Sequence, residues 1–165
     1  MTDAHVRMSL RLQTAFGLRR EESIKFRPSI ADRNDHIAIR GSWAKGGRDR
    51  TIPITMPEQR AALDGACQLV GSGSLIPANK TYIQQRQVYD GQCKRAGLSN
   101  MHGLRHRYAQ IRYETLTGWK APKAGGPRVN QLDPAQCQKD RFSRQQISRE
   151  LGHERIAVTA VYLGN

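Results

Sequence analysis

The chain has few cysteines and no long apolar run, and these features exclude several classes of protein. Cys67, Cys93 and Cys137 are widely separated, with no Cys-x-x-Cys pair among them. This pattern argues against a disulfide framework or a zinc site and favours a reducing cytoplasm. No stretch approaches the ~20 apolar residues that cross a bilayer, and residues 1–5 lack the apolar core of a secretory signal. We therefore expect a cytoplasmic protein without a membrane partner.

Motifs for nucleotides and for paired metal ions are absent as well. The chain has neither a Walker-type phosphate loop nor a Gly-x-Gly-x-x-Gly fingerprint. Asp32, Asp35 and Asp49 are scattered in turn-like sequence rather than grouped as in a two-metal nuclease. We expect no cofactor and no metal, so that any cleavage of a phosphodiester would depend on cationic side chains.

Acidic residues are scarce relative to basic ones. The 27 Lys and Arg residues outnumber the 14 Asp and Glu residues, which gives a net charge of +13. A surplus of this size repels itself in a compact fold unless a polyanion lies against it. Nucleic acid is the favoured polyanion, because basic side chains release the counterions condensed on its phosphates. A generically basic protein remains the alternative.

Apolar periodicity and capping residues predict a mostly helical α+β fold, a helical bundle with one small antiparallel sheet. Two short strands, 36–40 and 51–55, flank a Gly-rich basic turn, and Pro53 places the second strand at a sheet edge. Residues 119–140 hold several prolines and glycines and predict a long exposed loop. The predicted helices are 6–16, 19–24, 57–70, 81–97, 100–118, 143–152 and 156–162, although the last would also suit a strand.

Several basic residues form candidate sites. His102 and Arg105 lie three apart on a predicted helix, so they share one face and can point at the same oxygen atoms. Arg19 follows the break at Gly17, with Arg20 as a competitor for the same role. Each signal alone is weak, because such spacings are common on helix surfaces.

Three more candidates lie in turns and near the end of the chain. Lys45 precedes two glycines, and a lysine in such a turn can supply a proton to a leaving alkoxide. His153 follows a predicted helix end at Gly152 and can donate to a phosphate oxygen. Tyr162, nine residues later, belongs to a nucleophile class for covalent catalysis. The competing tyrosines, for which core packing is favoured, are Tyr82, Tyr89, Tyr108 and Tyr113.

Taken together and in order, these motifs resemble the boxes of the tyrosine recombinase (phage integrase) catalytic domain. The stretch from Phe16 to Glu22 is similar to the family's first box, and residues 44–54 are similar to the hairpin that carries its lysine. His102-Gly103-Leu104-Arg105-His106 matches the His-x-x-Arg box, and Leu151-Gly152-His153 matches the Leu-Gly-His box. Tyr162 stands at the family's usual distance from that histidine.

The resemblance implies a site for strand cleavage and rejoining through a 3′-phosphotyrosyl intermediate. Tyr162 would attack the phosphate, Lys45 would protonate the leaving 5′-oxygen, and His102 would assist proton removal from Tyr162. The phosphate oxygens would be held by Arg19, Arg105 and His153. Further DNA contacts are expected at Arg48, Arg50 and His106, although surface charge is the alternative for the two arginines.

The same resemblance sets expectations for organisation and partners. Residues before Phe16 are too few for the family's N-terminal core-binding domain, so we expect residues 1–165 to form one catalytic domain without it. The expected partner is double-stranded DNA of a phage or other mobile element, with self-association on DNA, accessory DNA-bending proteins and a nucleoid location when bound. A type IB topoisomerase and a non-catalytic DNA-binding module are the alternatives.

Overall fold

The computed structural model describes all 165 residues as eight α-helices and a two-stranded antiparallel sheet. The mostly helical α+β class predicted from the sequence is confirmed. The contacts divide the chain into two compact units, residues 1–105 and residues 106–165. None of the helices is long and apolar enough to cross a membrane.

The first unit begins with three helices and the sheet. In chain order they are α1 (Ala4–Phe16), α2 (Arg20–Lys25), α3 (Pro28–Ala31), β1 (His36–Ile39) and β2 (Arg50–Pro53). The strands pair from His36 with Pro53 to Ile39 with Arg50, so Pro53 lies at a sheet edge as predicted. The bounds of α1 and of both strands fall within two residues of the sequence prediction.

Two longer helices complete the first unit, α4 (Pro57–Val70) and α5 (Tyr82–Arg95). Pro57 occupies the first helical position of α4, where its missing N–H costs nothing. The predicted capping box of α5 is present, because Thr81 Oγ1 accepts from the Gln84 N–H and Gln84 Oε1 accepts from the Thr81 N–H. One buried cluster of this unit joins Val6, Ile24, Tyr89 and Cys93.

Helix α6 (His102–Thr117) begins in the first unit and ends in the second, which also holds α7 (Pro134–Leu151) and α8 (Ile156–Leu163). The predicted stop near Gly118 is confirmed, since Gly118 follows α6 with a positive φ of 91°. The last segment is a helix, so the strand alternative for it is wrong.

The predicted loop over residues 119–140 is wrong in its last seven residues. Helix α7 begins at Pro134, nine residues before the predicted start at Ser143. Asp133 caps this helix, because its Oδ1 accepts from the Gln136 N–H at 2.8 Å. The Gln136 side-chain oxygen in turn accepts from the Asp133 N–H. A proline at the first helical position is compatible with a helix, although in the sequence it resembles a loop signal. Residues 119–133 contain only two short 3₁₀ turns.

A hydrogen-bond network packs α7 against α6 within the second unit. The Tyr113 hydroxyl donates to Asp140 at 2.6 Å, and Arg144 Nε donates to the same carboxylate at 2.9 Å. The indole N–H of Trp119 donates to the Tyr113 oxygen at 3.2 Å. Burial, with the nearby Asp140 carboxylate, raises the pKa of Tyr113 to about 12. The neutral Tyr113 hydroxyl therefore holds α6 against α7.

A buried ion pair joins α2 to β2 in the first unit. The Glu22 side chain is 0% exposed, and both its oxygens accept from the Arg50 guanidinium, at 2.5 and 2.9 Å. Burial by itself raises the pKa of Glu22, but the hydrogen bonds and charge of Arg50, with those of Arg19, outweigh it and hold the pKa below 4.5. The stabilisation is therefore complete above pH 4.5 and is lost as the pH falls through the lowered pKa.

We predict that Glu22→Ala lowers the free energy of unfolding by about 3–5 kcal/mol, because it leaves the Arg50 charge buried without its carboxylate. The double variant Glu22→Leu/Arg50→Met should recover most of that loss, since it removes both charges. Urea unfolding followed by circular dichroism measures both. A double variant no more stable than Glu22→Ala would show that the ion pair is not the source of the effect.

Candidate active site

Arg19 stands at the N-terminus of α2 and is held there by Glu22. Its backbone N–H donates to Glu22 Oε1 at 2.8 Å, which is one half of a capping box. Its guanidinium lies 3.4 Å from the other oxygen of the same carboxylate, with 30% of the side chain exposed. The competing Arg20 is paired with Asp90 on α5 at 3.2 Å. Arg19 is thus the arginine that is coupled to the buried ion pair.

Lys45 is exposed in the segment between the two strands. Its backbone N–H donates to Glu21 Oε2 at 3.2 Å, which attaches the turn to α2. Gly41 and Gly47 pack so closely that a Cβ on Gly47 would lie 2.7 Å from the Gly41 carbonyl oxygen. Asp49 accepts from the Gly41 N–H at 2.6 Å. The lysine side chain therefore extends from a turn whose backbone is fixed at several points.

His102 lies at the start of α6, at the edge of a cavity of about 730 Å³ in the first unit. The side chains of Arg19, Arg20 and Lys94 also line this cavity. Burial lowers the pKa of His102, and the positive charges of Arg105 and Arg19 lower it further. His102 is therefore mainly neutral at pH 7, which is the state that can accept a proton.

Arg105, one turn further along α6, is 1% exposed. Its Nη1 donates to the Gly17 carbonyl oxygen at 2.7 Å. Gly17 ends α1 in the left-handed conformation, with φ 66°, and the carbonyls at a helix end have no partner within the helix. The glycine break noted in the sequence thus provides an acceptor that orients this arginine.

His153 follows the C-terminus of α7, as the sequence predicted. Gly152 has φ 72°, and the His153 N–H donates to the Ser148 carbonyl at 2.9 Å, as in a Schellman motif. Its imidazole Nδ1 lies 3.0 Å from Thr159 Oγ1 on α8. The ring is therefore fixed between the end of one helix and the body of the next.

Tyr162 is 5% exposed and lies against two imidazole rings of the second unit. The ring centroid of His106 is 4.2 Å away, and that of His153 is 5.0 Å away. The tilts between the ring planes are 32° and 35°. The second unit thus brings together one phenol and two histidines predicted from the sequence.

The C-terminal turn of α8 is capped by side chains. Lys123 Nζ donates to the Val161 carbonyl at 2.8 Å, and Gln110 Nε2 donates to the Tyr162 carbonyl at 3.1 Å. These carbonyls belong to the last turn of the helix, so no N–H of the same helix donates to them. The position of the Tyr162 backbone is therefore fixed by residues from α6 and from the 119–133 segment.

The residues predicted as additional DNA contacts have different environments. Arg48 is exposed in the turn after Gly47. Arg50 is buried against Glu22, so its guanidinium lies in the ion pair and not on the surface, where a contact to a DNA phosphate is expected. His106 packs on Tyr162, with the two ring centroids 4.2 Å apart. No local sequence pattern marks the pairing of Arg50 with Glu22 or the packing of His106 on Tyr162, because each contact joins residues far apart in the chain.

The chemistry available in each unit is distinct. The first unit presents the cationic residues Arg19, Arg20 and Lys94 together with His102 around one cavity, which suits the binding of an anion. The second unit holds a tyrosine against two imidazoles. No group of three or more His, Cys, Asp or Glu side chains is arranged to hold a metal ion.

Comparisons with solved structures identify similar folds in recombinases. The chain is 16% identical to XerH site-specific recombinase bound to difH in a pre-cleavage complex, with a TM-score of 0.56, covering 98% of this chain and 45% of that one. It is 19% identical to XerA recombinase and 13% identical to the integrase of mycobacterium phage Brujita, both with a TM-score of 0.53. Both matches cover 100% of this chain and 58% of the other.

The chain thus spans about half the length of the solved proteins that it resembles. A comparison with curated proteins finds no significant match. A family model described as Integrase matches residues 1–111, which is about two thirds of the chain. The family match and the shared fold agree with the motifs in the sequence, and the protein belongs to the integrase family of tyrosine recombinases.

Proposed function

We propose that this protein carries the catalytic residues of a site-specific DNA recombinase that acts through Tyr162. The observation that carries the proposal is the placement of Tyr162 on α8, buried and packed against His106 and His153. Tyrosine is a weak nucleophile at its ordinary pKa and needs a neighbouring group that takes its proton or stabilises the charge that develops. Family membership and the net charge of +13 support the same proposal.

The reaction is an in-line transfer of a phosphodiester to the tyrosine. Tyr162 Oη forms a bond to phosphorus while the bond from phosphorus to the 5′-oxygen breaks. The phenol loses its proton with the assistance of His102, and Lys45 gives a proton to the departing 5′-oxygen. The products are a 3′-phosphotyrosyl enzyme and a 5′-hydroxyl, and the reverse reaction with another 5′-hydroxyl joins the strands without nucleotide hydrolysis.

Positive charge stabilises the transition state of this transfer. Arg19, Arg105 and His153 bind the non-bridging oxygens, where charge accumulates as the tyrosine attacks. An arginine suits this role because its planar fork donates two hydrogen bonds to a phosphate and stays charged. The contact from Arg105 to the Gly17 carbonyl supports the proposal, because it restricts the orientation of that guanidinium before DNA arrives.

The partner in this proposal is double-stranded DNA from a phage or another mobile element. XerH was solved bound to its difH substrate, which supports DNA as the partner. Arg48 is the exposed candidate for a backbone phosphate, whereas His106 acts beside Tyr162. Residues 1–165 serve as one catalytic domain that associates with other copies on the nucleoid, and accessory DNA-bending proteins are further candidate partners.

We predict that the chain forms a detergent-resistant adduct with nicked duplex DNA and that Tyr162→Phe abolishes it. The probe is a pool of nicked duplexes with randomised sequence around the nick, because loss of the short strand beyond the nick traps the covalent intermediate. A denaturing gel detects the adduct, and sequencing of the captured DNA gives the cleaved site. Tyr82→Phe is the matched control and should retain the adduct. Adduct formation by Tyr162→Phe would contradict the assignment.

We predict that the cleavage rate falls as the pH is lowered, with a midpoint below pH 6.5. Burial and the charges of Arg105 and Arg19 lower the pKa of His102 from 6.5, and a base must be neutral to accept a proton. At pH 6.5 the rate should therefore exceed half of its plateau value. In His102→Asn the fall in rate at low pH should disappear. Single-turnover cleavage with the protein below saturation, which reports the pKa of the DNA-free protein, is measured at several pH values. A midpoint above 6.5 that still depends on His102 would contradict the prediction.

A further inference from the structure

Two adjacent carboxylates on the first turn of α2 have separate partners. Glu22 is buried and binds Arg50 and the backbone of Arg19. Glu21 is partly exposed, and its two oxygens accept from Lys25 Nζ at 2.8 Å and from the backbone N–H of Lys45 at 3.2 Å. One short helix thus contacts both a candidate phosphate-binding arginine and the candidate general acid.

We propose that Glu21 is a positioning residue for Lys45. The inference rests on the proposed function, in which Lys45 protonates the leaving 5′-oxygen. Glu21 acts through the backbone of Lys45: its carboxylate fixes the start of the lysine side chain relative to α2, whose N-terminal residue is Arg19. The Lys45 side chain then reaches the leaving oxygen from a backbone position that is fixed.

The local geometry gives this contact a specific task. The next residue, Gly46, has φ 68° and no atom within 4 Å of the position that a Cβ would occupy, so this side of the turn faces open space. Glycine loses more conformational freedom on folding than other residues, so such a turn is costly to order. The Glu21 carboxylate is therefore one of the contacts that order the turn next to Lys45.

The charge state of Glu21 is suited to this task at neutral pH. Burial opposes ionisation, but the hydrogen bond from Lys25, the backbone hydrogen bond from Lys45 and nearby positive charges outweigh it, and the pKa lies below 4.5. A carboxylate is a stronger acceptor than a neutral group, since charge-assisted hydrogen bonds are about twice as strong.

A purely electrostatic role for Glu21 predicts a different change. Removing a negative charge from a protein of net charge +13 strengthens its attraction to DNA phosphates. Glu21→Ala would then bind DNA more tightly, and cleavage with either leaving group would change to the same extent. Loss of positioning instead slows cleavage only where the leaving oxygen needs a proton, so the leaving group separates the two roles.

The test compares two leaving groups at the site identified by covalent capture. One duplex carries the ordinary 5′-oxygen at the cleaved bond, and the other carries sulfur in its place. A thiolate departs without a proton, because thiols ionise with a pKa of about 8.5, so only the oxygen substrate needs Lys45. Single-turnover cleavage is measured for wild type, Glu21→Ala, Glu21→Gln and Lys45→Ala.

We expect Glu21→Ala to cleave the oxygen substrate about tenfold more slowly, as displacement of a catalytic group does, and the sulfur substrate at the wild-type rate. Lys45→Ala should show the same pattern with a loss of about 10²-fold or more. Glu21→Gln keeps an oxygen acceptor for the Lys45 N–H and should recover much of the rate. One control should match the wild type on both substrates: Glu58→Ala, which makes the same charge change at an exposed residue.

Two results would overturn the role of Glu21. One is a wild-type rate for Glu21→Ala on the oxygen substrate. The other is an equal loss on both substrates, which would mean that Glu21 affects folding or binding instead of proton transfer. A wild-type chain that forms no adduct with either substrate would overturn the proposed function itself.

Discussion

The buried Glu22 carboxylate is the interaction on which the first unit depends. It lies 0% exposed on α2, and the Arg50 guanidinium from β2 binds both of its oxygens. The same carboxylate accepts from the backbone of Arg19. A buried charge is tolerated only when it is paired and hydrogen-bonded, so α2 and β2 are held in the one arrangement that satisfies it. The position of Arg19 follows from that arrangement.

A second buried glutamate has a comparable role in the other unit. Glu150 near the end of α7 accepts from the Tyr108 hydroxyl at 3.0 Å and pairs with Arg112 at 2.9 Å, both on α6. The helix ends one residue later, and Gly152 turns the chain so that His153 packs against Tyr162. In both units, therefore, a carboxylate fixes a helix next to a proposed catalytic residue.

The sequence predicts local features of the site better than its long-range contacts. The helix that carries His102 and Arg105, the stop at Gly152 and the helical setting of Tyr162 follow from spacing and glycine chemistry, which depend on near neighbours. The Glu22 to Arg50 pair joins residues 28 positions apart, and no local pattern marks it, so Arg50 resembles a surface cation in the sequence. The early start of α7 was missed because Pro134 is compatible with both a loop and a first helical turn.

In the proposed function, a phosphodiester is transferred to Tyr162 without a metal ion. The most direct measurement is mass spectrometry of the trypsin-digested adduct after a reaction in EDTA. Cleavage after Arg155 releases residues 156–165, which contain Tyr162 as their only tyrosine. We expect a 3′-nucleotide phosphate on Tyr162 in that peptide. A nucleotide on any other residue, or an adduct that forms only when a divalent metal is present, would contradict it.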